Sequence, residues 1–451
     1  MFFIAGSAFA GTSGQTGGLP MWLTSATFLL IVAVALLMSV YAVRHYVFAL
    51  NRLLSRQAPA FEGVQDARWP RLTVFIAAHN EEAVIANCME ALVAADYPRD
   101  RLEVIPVNDR SKDRTREICD EWASRHPHLI KPFHRTDGRP GKPAALRDAM
   151  ERADAPEVVV IFDADYIPGE GLLKQIVAPF LDPEVGVTMG RVVPCNVGTN
   201  LLTRMLDMER SAGYQGDQQA RQNMGALPQF GGTVGGIRVS ALEAVGGFSP
   251  DVLAEDTDLT FRLLEAGWRV HYVNTAECYE EVPETWPVRV RQLMRWAKGH
   301  NQAMYRFSRR TASNPYLSPM QRFEALLLLG TYIVAPLSLL GWALAPLAHF
   351  SAPHWSAPLG LALLALVVYG GFGNSAAFFQ MAAAVRLDGN ARRLRLLPLN
   401  VIGYLVSAVT ISRGAWGLVA DTLLRRELKW DKTVRFRKPV PESNPASAAN
   451  T

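Results

Sequence analysis

The chain has few cysteines, and no two of them lie close together in the sequence. The four are Cys88, Cys119, Cys195 and Cys278, and none belongs to a Cys-x-x-Cys pair. Disulfide frameworks and cysteine-based metal sites need denser or more closely spaced cysteines. The spacing therefore argues against both kinds of site and predicts reduced thiols in the core.

Two nucleotide-binding signatures and the usual secretion signal are missing as well. No Gly-x-Gly-x-x-Gly opens the first predicted helix of the soluble segment, and Gly141-Lys142-Pro143 lacks the Ser or Thr of a Walker motif. These absences disfavour a dinucleotide-dependent dehydrogenase and a P-loop ATPase. Residues 1–20 contain no Lys or Arg, so they lack the basic region of a cleaved signal peptide.

Long apolar runs, in contrast, are present, and 49% of the residues are hydrophobic. Residues 21–43, 323–347 and 358–385 are nearly free of charge, and each run reaches the ~20 residues that a membrane helix needs. Residues 60–300 have an ordinary soluble composition and suffice for one α/β domain with a substantial core. This pattern predicts a soluble domain inserted between transmembrane helices.

Basic residues indicate how the chain is oriented. Arg44, Arg52 and Arg56 follow the first span closely. By the positive-inside rule, residues 1–20 are a short non-cytoplasmic N-terminus and the soluble domain faces the cytoplasm at the inner or plasma membrane. The net charge of +4 is modest and forms no basic stripe on the soluble part, so a nucleic-acid partner is not expected.

The last apolar run, residues 396–424, conflicts with this rule if it crosses the membrane. A full crossing would put the basic tail, residues 425–451, outside and Arg413 near mid-membrane, at a cost of about 2.5–3.5 kcal/mol. Pro398 and three glycines make the run breakable. We therefore expect a re-entrant or interfacial segment with a cytoplasmic tail, which keeps Trp430 on the side of the soluble domain; a fourth transmembrane helix is the alternative. Residues 301–322 are expected to be interfacial.

The rest of the chain is organised around residues 158–166, Val-Val-Val-Ile-Phe-Asp-Ala-Asp-Tyr. The apolar, β-branched run predicts a strand buried on both faces. Asp163 and Asp165 end it, at the edge where α/β sheets bind ligands. A carboxylate pair suits a hard divalent cation, which would hold phosphate oxygens. Alternatively, the two are solvated turn residues.

Two earlier β-α units place polar residues at the same edge. A predicted strand at residues 72–77 leads to Asn80-Glu81, and another at 102–107 leads to Asn108-Asp109. Because the carboxyl ends of successive parallel strands share one edge, these side chains are expected to converge with the carboxylate pair on one crevice. The fold class is therefore predicted to be α/β and Rossmann-like.

Four motifs occur in order along this domain. They are Asp109, the pair Asp163 and Asp165, the pair Glu255 and Asp256, and the Gln-x-x-Arg-Trp motif of Gln292, Arg295 and Trp296. Their order and spacing resemble those of membrane-bound family 2 glycosyltransferases of the cellulose, chitin, hyaluronan and poly-N-acetylglucosamine synthase type. The resemblance covers roughly residues 70–300 and the Trp-Asp-Lys-Thr-Val-Arg at 430–435. It implies a GT-A-type nucleotide-sugar domain.

The sequence departs from that family at three places. Asn108-Asp109-Arg110 replaces the usual Asp-Asp-Gly, and Ala254 replaces a common Thr. Gln229-Phe-Gly-Gly-Thr233 replaces the Phe-Phe-Cys-Gly-Ser of cellulose synthases, which leaves the acceptor sugar open. None of these changes removes a carboxylate that the chemistry requires.

The resemblance also implies donor-binding roles. It assigns a divalent cation, Mg²⁺ or Mn²⁺, to Asp165 with Asp163 beside it, Asp109 to the nucleobase, and Lys142 to the diphosphate. Glu81 and Arg295 complete the expected donor site. Alternatively, Lys142 is a solvated loop lysine and Glu81 an acid that favours the start of a helix.

The acceptor side is implied in the same way. Asp256 would be the general base that removes the acceptor proton and gives inversion at the anomeric carbon. Its alternative is a helix N-cap, a role compatible with the first. Glu255, Gln292 and Trp296 would contact the acceptor. Otherwise Gln292, Arg295 and Trp296 form one face of an amphipathic interfacial helix.

Three functions remain open from the sequence. The first is a processive β-glycosyltransferase that extends a polysaccharide, with an accessory membrane subunit or a homo-oligomer as possible partners. The second adds a single sugar to a membrane lipid. The third is a non-catalytic protein with a degenerate nucleotide-sugar fold, against which the full set of carboxylates argues.

Overall fold

One eight-stranded sheet forms the centre of the soluble domain. The computed structural model of the chain describes residues 21–55, 68–351 and 374–424. The strands are, in chain order, β1 Leu72–Ala78, β2 Leu102–Asp109, β3 Phe133–Arg135, β4 Val158–Asp163, β5 Ile167–Pro168, β6 Val185–Pro194, β7 Gly235–Arg238 and β8 Arg269–Glu280. They lie in the order β3-β2-β1-β4-β7-β6-β8-β5.

The sheet is mixed. β1 pairs in parallel with β2 and β4, while β7 runs antiparallel to its neighbours β4 and β6. Helices cover both faces; those of this domain are α2 Ile85–Ala94, α3 Thr115–Arg125, α4 Lys142–Met150, α5 Leu172–Val177, α6 Leu201–Ser211, α7 Gln219–Asn223, α8 Val239–Ala244, α9 Glu255–Glu265 and α10 Trp286–Ala312. The α/β class predicted from the sequence is confirmed.

Alternating side chains of the central strands feed two separate cores. Val74 and Ile76 of β1 pack with Met89 of α2 on one face, whereas Phe75 packs with Leu259 of α9 on the other. Successive strand residues point to opposite faces, so a strand covered on both sides must be apolar throughout. This requirement explains the unbroken apolar runs that predict β1 and β4.

The strand register brings the polar strand ends together. Ala77 of β1 pairs with Asp163, and Ala78 pairs with Asn108. The last residues of β2 and β4 therefore flank the carboxyl end of β1, as expected for parallel neighbours. The predicted convergence of the β-α units on one edge is confirmed.

The cysteines follow their prediction with one exception. Cys88, Cys119 and Cys278 are buried free thiols, but Cys195 is exposed. Cys195 follows directly on Pro194, the last residue of β6, where the chain leaves the sheet. The prediction of a core thiol is wrong at this position.

The first apolar helix is longer than its apolar run. α1 spans Met21–Leu54, and its Ala26–Leu54 part is long and apolar enough to cross a membrane. The polar end, from Arg44 onward, packs against the soluble domain, where Arg44 and Arg52 are both buried. The predicted span at residues 21–43 therefore continues into a segment that belongs structurally to the domain.

The second apolar run is bent. α11 spans Pro319–Leu329 and α12 spans Val334–Ser351, with a 3₁₀ turn at Gly330–Tyr332 between them. Ser318 caps α11 by accepting a hydrogen bond from the Gln321 amide at 3.2 Å. The two halves form an angle of 67°, so the predicted helix at residues 323–347 is a broken span or a re-entrant loop.

Two further helices complete the described part of the chain. α13 spans Asn374–Leu387, and most of the predicted span at 358–385 lies outside the described residues. A 3₁₀ segment at Ala391–Leu399 leads into α14, Asn400–Leu423, which is one unbroken helix. The 3₁₀ segment and α14 together are long and apolar enough to cross a membrane. The tail and the 430–435 motif lie outside the described residues.

Candidate active site

A cavity of about 980 Å³ opens at the carboxyl edge of the sheet and extends to the apolar helices. All ten site residues predicted from the sequence line it: Glu81, Asp109, Lys142, Asp163, Asp165, Glu255, Asp256, Gln292, Arg295 and Trp296. They come from six places in the sequence that the sheet and the helices around it bring together. Their individual roles stay predictions.

At one end of the cavity, four donors surround the carboxylate of Asp109. Arg110 donates from Nε at 2.9 Å and from Nη2 at 3.2 Å, Arg135 from Nη1 at 3.0 Å, and the Gly141 amide at 3.2 Å. Burial alone would raise the pKa of Asp109, but these bonds outweigh it and lower the pKa. Asp109 is therefore an ionised acceptor.

Lys142 lines the cavity at the start of α4. Its Nζ donates to Asp163 Oδ1 at 2.6 Å and to the Gly232 carbonyl at 2.8 Å, and lies 4.0 Å from Glu255 Oε1. Burial would lower the pKa of Lys142, but Asp163 and Glu255 outweigh it and raise the pKa. The ammonium thus links the strand-end carboxylate with the Glu255–Asp256 pair, and Lys142 is not a solvated loop residue.

The strand-end carboxylates suit a divalent cation that is shared with substrate. Asp165 is only 2% exposed, and Glu81, also buried, is anchored by its amide to Thr115 Oγ1 at 2.8 Å. Among the described residues, no cluster of three or more His, Cys, Asp or Glu side chains could hold a metal alone. Asp163 and Asp165 supply hard oxygen ligands, and diphosphate oxygens would complete the coordination.

Glu255 and Asp256 open helix α9. The cap position is Ala254, so Asp256 is the second helical residue rather than the N-cap. Its Oδ1 accepts from the Thr257 amide at 2.6 Å, and the helix N-terminus favours its charge. Burial nevertheless raises the pKa of Asp256 above its ordinary value and that of Glu255 likewise. A carboxylate with a raised pKa is a suitable general base.

The Gln-Phe-Gly-Gly-Thr loop is held in a strained shape beside these acids. Gly232 has a φ of +78°, and a Cβ there would come within 3.2 Å of the Asp256 Cβ. Val234 adopts a φ of +52°, which is rare for a β-branched residue. Such strain persists where the surroundings enforce it, often at functional sites. Here the strained residue directly follows a loop whose backbone lies against Lys142 and Asp256.

The Gln-x-x-Arg-Trp motif lies on α10, and cations surround its tryptophan. The guanidinium groups of Arg210 and Arg289 each lie 5.4 Å from the Trp296 ring centroid. Arg289 also donates to Gln292 Oε1 at 2.9 Å. The motif therefore belongs to a packed cation–π cluster that faces the cavity, and α10 is more than an interfacial helix.

Sequence reasoning missed the residues that support this cluster. Arg210 of α6 pairs with Glu280 at the end of β8, and Glu280 accepts from the Tyr166 hydroxyl at 2.8 Å. Tyr166 directly follows Asp165, so the chain of contacts connects the donor carboxylates with Trp296. Tyr166 could have been found as the neighbour of the Asp-x-Asp motif, but Arg210 and Glu280 carry no motif.

The side of the cavity that faces the apolar helices is polar and aromatic. Tyr41 and His45 of α1, Gln380 of α13 and Tyr404 of α14 line it. Nearer the motif helix, His300 stacks on Tyr332 with ring centroids 4.6 Å apart. The cavity therefore reaches from the ends of the strands to helices that are apolar enough for a membrane.

Comparison with known proteins identifies the family. Residues 70–299, just over half of the chain, match the model described as glycosyltransferase like family 2. A probable glycosyltransferase, YdaM of Bacillus subtilis, is 33% identical over 240 residues, which are 53% of this chain and 57% of that protein.

Two other relatives have different named products. A β-monoglucosyldiacylglycerol synthase of Synechocystis is 32% identical over 55% of this chain and 51% of its own length. Glucomannan 4-β-mannosyltransferase 7 of Arabidopsis thaliana is 30% identical over 52% of this chain and 43% of its own length. The chain thus spans about half the length of these curated relatives.

A solved structure has the same fold. The mannosyltransferase PcManGT of Pyrobaculum calidifontis, in complex with GDP-Man and Mn²⁺, matches with a TM-score of 0.53 and 26% identity, over 80% of this chain and 98% of that one. Its match extends the family assignment from sequence to fold. The chain belongs to the family 2-like glycosyltransferases, and its sheet domain has a GT-A-type fold.

Proposed function

We propose that the protein transfers a sugar, with inversion, from a nucleoside-diphosphate donor to a growing β-linked polysaccharide at the cytoplasmic face of the membrane. The observation that carries the proposal is the continuity of the cavity described above. It joins the strand-end carboxylates to a polar, aromatic lining contributed by apolar helices. An acceptor can therefore approach Asp256 from the membrane side while the donor enters along the sheet edge.

The donor end of the cavity has the charges that a nucleotide sugar needs. Asp109 receives the nucleobase, and the ammonium of Lys142 and the guanidinium of Arg295 oppose the diphosphate. A divalent cation bound by Asp163 and Asp165 would neutralise the negative charge of the leaving diphosphate. PcManGT, whose solved complex contains Mn²⁺, supports the use of such a cation.

Asp256 removes the acceptor proton. As the acceptor oxygen attacks the anomeric carbon, its hydroxyl proton passes to the Asp256 carboxylate. The bond between that carbon and the diphosphate oxygen breaks, and the nucleoside diphosphate leaves with the electron pair. Attack opposite the leaving group inverts the anomeric configuration, so an α-linked donor gives a β-linked product.

A glycolipid synthase is the second candidate. The relative from Synechocystis named as a β-monoglucosyldiacylglycerol synthase is as similar to this chain as the glucomannan enzyme is. In that case the acceptor hydroxyl arrives on a lipid through the same membrane-side opening. The donor site and the role of Asp256 are the same in both candidates.

Product size separates the two candidates. Membranes containing the protein are incubated with radiolabelled UDP-glucose, UDP-GlcNAc or GDP-mannose, with Mg²⁺, with Mn²⁺ or with EDTA. We expect label in a high-molecular-weight product that a β-glycosidase degrades, and none with EDTA. Label confined to an organic-extractable lipid would select the glycolipid candidate. Transfer from none of the donors would contradict both.

A further inference from the structure

Arg110 has an unusual backbone conformation, and it lies beside Asp109 at the end of the cavity assigned to the nucleobase. It follows Asp109 at the end of β2 and has a φ of +56°, a left-handed conformation that glycine adopts readily and other residues adopt at a cost. The synthase family that this sequence resembles usually has glycine at this position. Arg110 lines the cavity, and its side chain is 30% exposed.

Asp109 has no acceptor capacity to spare while Arg110 is bound. A carboxylate offers about four lone-pair directions, and four donors fill them here: two from Arg110 and one each from Arg135 and Gly141. A nucleobase N–H can reach Asp109 only if one of these donors withdraws.

Arg110 is the donor best placed to withdraw. The side chain of Arg135 is only 3% exposed and is also held by Asp148 at 2.7 Å and by the Arg139 carbonyl at 2.6 Å. The Gly141 amide is fixed in the backbone. Beyond Asp109, the Arg110 side chain donates a hydrogen bond to the Gly138 carbonyl at 3.1 Å. A nucleobase that displaces Arg110 from Asp109 would have the Arg110 guanidinium next to it.

We infer that Arg110 reads the nucleobase together with Asp109, and that the pair selects bases with a ring N–H beside a carbonyl oxygen. Asp109 accepts from the N–H, and the displaced guanidinium donates to the neighbouring oxygen. Uracil and guanine present this pattern. Cytosine and adenine present a ring nitrogen acceptor beside an amino group. The ring nitrogen would then face the Asp109 carboxylate, acceptor against acceptor, and the amino group would face the Arg110 guanidinium, donor against donor. This inference rests on the proposed function, because that function assigns Asp109 to the base.

Two kinds of simpler role make different predictions. If Arg110 only blocks the site, its removal tightens nucleotide binding. If Arg110 only attracts the diphosphate by charge, a lysine at this position can take its place, and removal of the charge weakens the binding of every nucleotide equally. A base-reading role weakens the preferred base selectively, because a lost pair of base contacts costs about tenfold or more in affinity.

Calorimetric titration of the full chain in detergent, with Mg²⁺ present, distinguishes these roles. The ligands are UDP, GDP, CDP, ADP and inorganic pyrophosphate. The variants are Arg110→Gly, which suits the positive φ and should fold, Arg110→Lys, and Arg114→Ala as an exposed control outside the cavity lining.

We expect the wild type to bind UDP or GDP at least about tenfold more tightly than CDP and ADP. Arg110→Gly and Arg110→Lys should lose most of that preference with pyrophosphate binding unchanged, while Arg114→Ala matches the wild type. Tighter or unchanged binding of UDP and GDP by Arg110→Gly overturns the inference. So does a wild-type protein that prefers CDP or ADP. An Arg110→Lys variant that keeps the wild-type preference also overturns it. A wild type that binds no nucleotide contradicts the proposed function itself.

Discussion

At the scale of single residues, Asp256 carries the sharpest prediction. Replacing Asp256 by Asn preserves the shape of the side chain but removes the base, so transfer should fall by at least ~100-fold. Donor binding should change little, because the base acts on the acceptor. Initial rates with labelled donor and nucleotide titration measure the two effects. Glu265→Gln, at the other end of the same helix, is the control, and near-normal turnover in Asp256→Asn would refute the assignment.

The environment of Asp256 also predicts the pH dependence of catalysis. Burial raises the pKa of Asp256, although the Thr257 amide and Lys142 oppose that effect. A base must be ionised, so activity is present above this pKa and is lost as the pH falls through it. The acid limb of kcat/KM should therefore lie above ~3.9, the ordinary value for Asp.

A neighbouring hydroxyl provides a test of that limb. Thr257 Oγ1 lies 3.3 Å from Asp256 Oδ1, and its hydrogen bond favours the ionised form. Thr257→Val should move the acid limb of kcat/KM further toward neutral pH. A limb that stays in place in this variant while activity persists would mean that another group titrates.

Some site residues could be predicted from sequence because strand ends reveal them. Asp109, Asp163 and Asp165 each follow a buried apolar run, and the parallel register brings such ends together. Arg210 and Glu280 follow no such rule. They meet where the end of α6 comes beside the end of β8, and a contact between residues 70 positions apart leaves no local pattern in a single sequence.

At the scale of elements, α1 shows what charge counting cannot predict. Arg44 and Arg52 follow the first apolar run and favour a cytoplasmic domain by the positive-inside rule. In the structure, Arg44 pairs with Glu324 of α11 and with Asp217, both at 2.9 Å, and Arg52 donates to the Gln215 carbonyl at 2.8 Å. Both arginines therefore anchor α1 to the domain. Charge counting could not predict this role, because it records the charge of a residue but not its partners.

This anchor leads to a stability prediction. The Arg44 and Glu324 side chains are 8% and 4% exposed, so removing either partner leaves a buried charge without its full compensation. Arg44→Met or Glu324→Leu alone should destabilise the protein by about 3–5 kcal/mol. The double variant should lose less stability than either single variant, because apolar side chains then replace both charges. Asp217, the other partner of Arg44, still pairs with Arg221 at 3.0 Å.

Unfolding in detergent, followed by the loss of helical signal, measures these differences where it is reversible. Arg116→Ala, an exposed change on α3, is the matched control. If the double variant is less stable than both single variants, the pair stabilises the packing of α1 beyond what apolar contacts supply. In that case the estimate based on burial cost is wrong.

At the scale of the whole molecule, α14 decides on which side of the membrane the tail lies. A Cβ built on Gly403 would lie 3.9 Å from Oε1 of Glu209 on α6, and near the other end Lys298 of α10 pairs with Asp421 at 2.7 Å. These two contacts are separated by about 27 Å of helix at 1.5 Å per residue. Since both ends of α14 meet polar groups of the catalytic domain, the helix extends along that domain rather than away from it.

The exposed side of α14 agrees with an interfacial position. Val409 and Trp416 are exposed apolar residues, and Arg413 lies one turn from each on the same face. In a membrane interface, Arg413 reaches the polar region while its neighbours stay in the apolar one. The helix is unbroken, so of the two arrangements predicted from sequence the interfacial one fits better than a re-entrant loop.

The last prediction follows from this position: the tail remains cytoplasmic. A cysteine at Ser447, which lies outside the described residues, reports its side in a chain whose four native cysteines have been replaced. A membrane-impermeant maleimide should label Ser447→Cys only after the cells are opened. A second variant with a cysteine at Ser7, in the predicted external N-terminus, should react in intact cells and so shows that the reagent works. Labelling of both positions in intact cells would mean that residues 391–424 cross the membrane, with the charged tail outside.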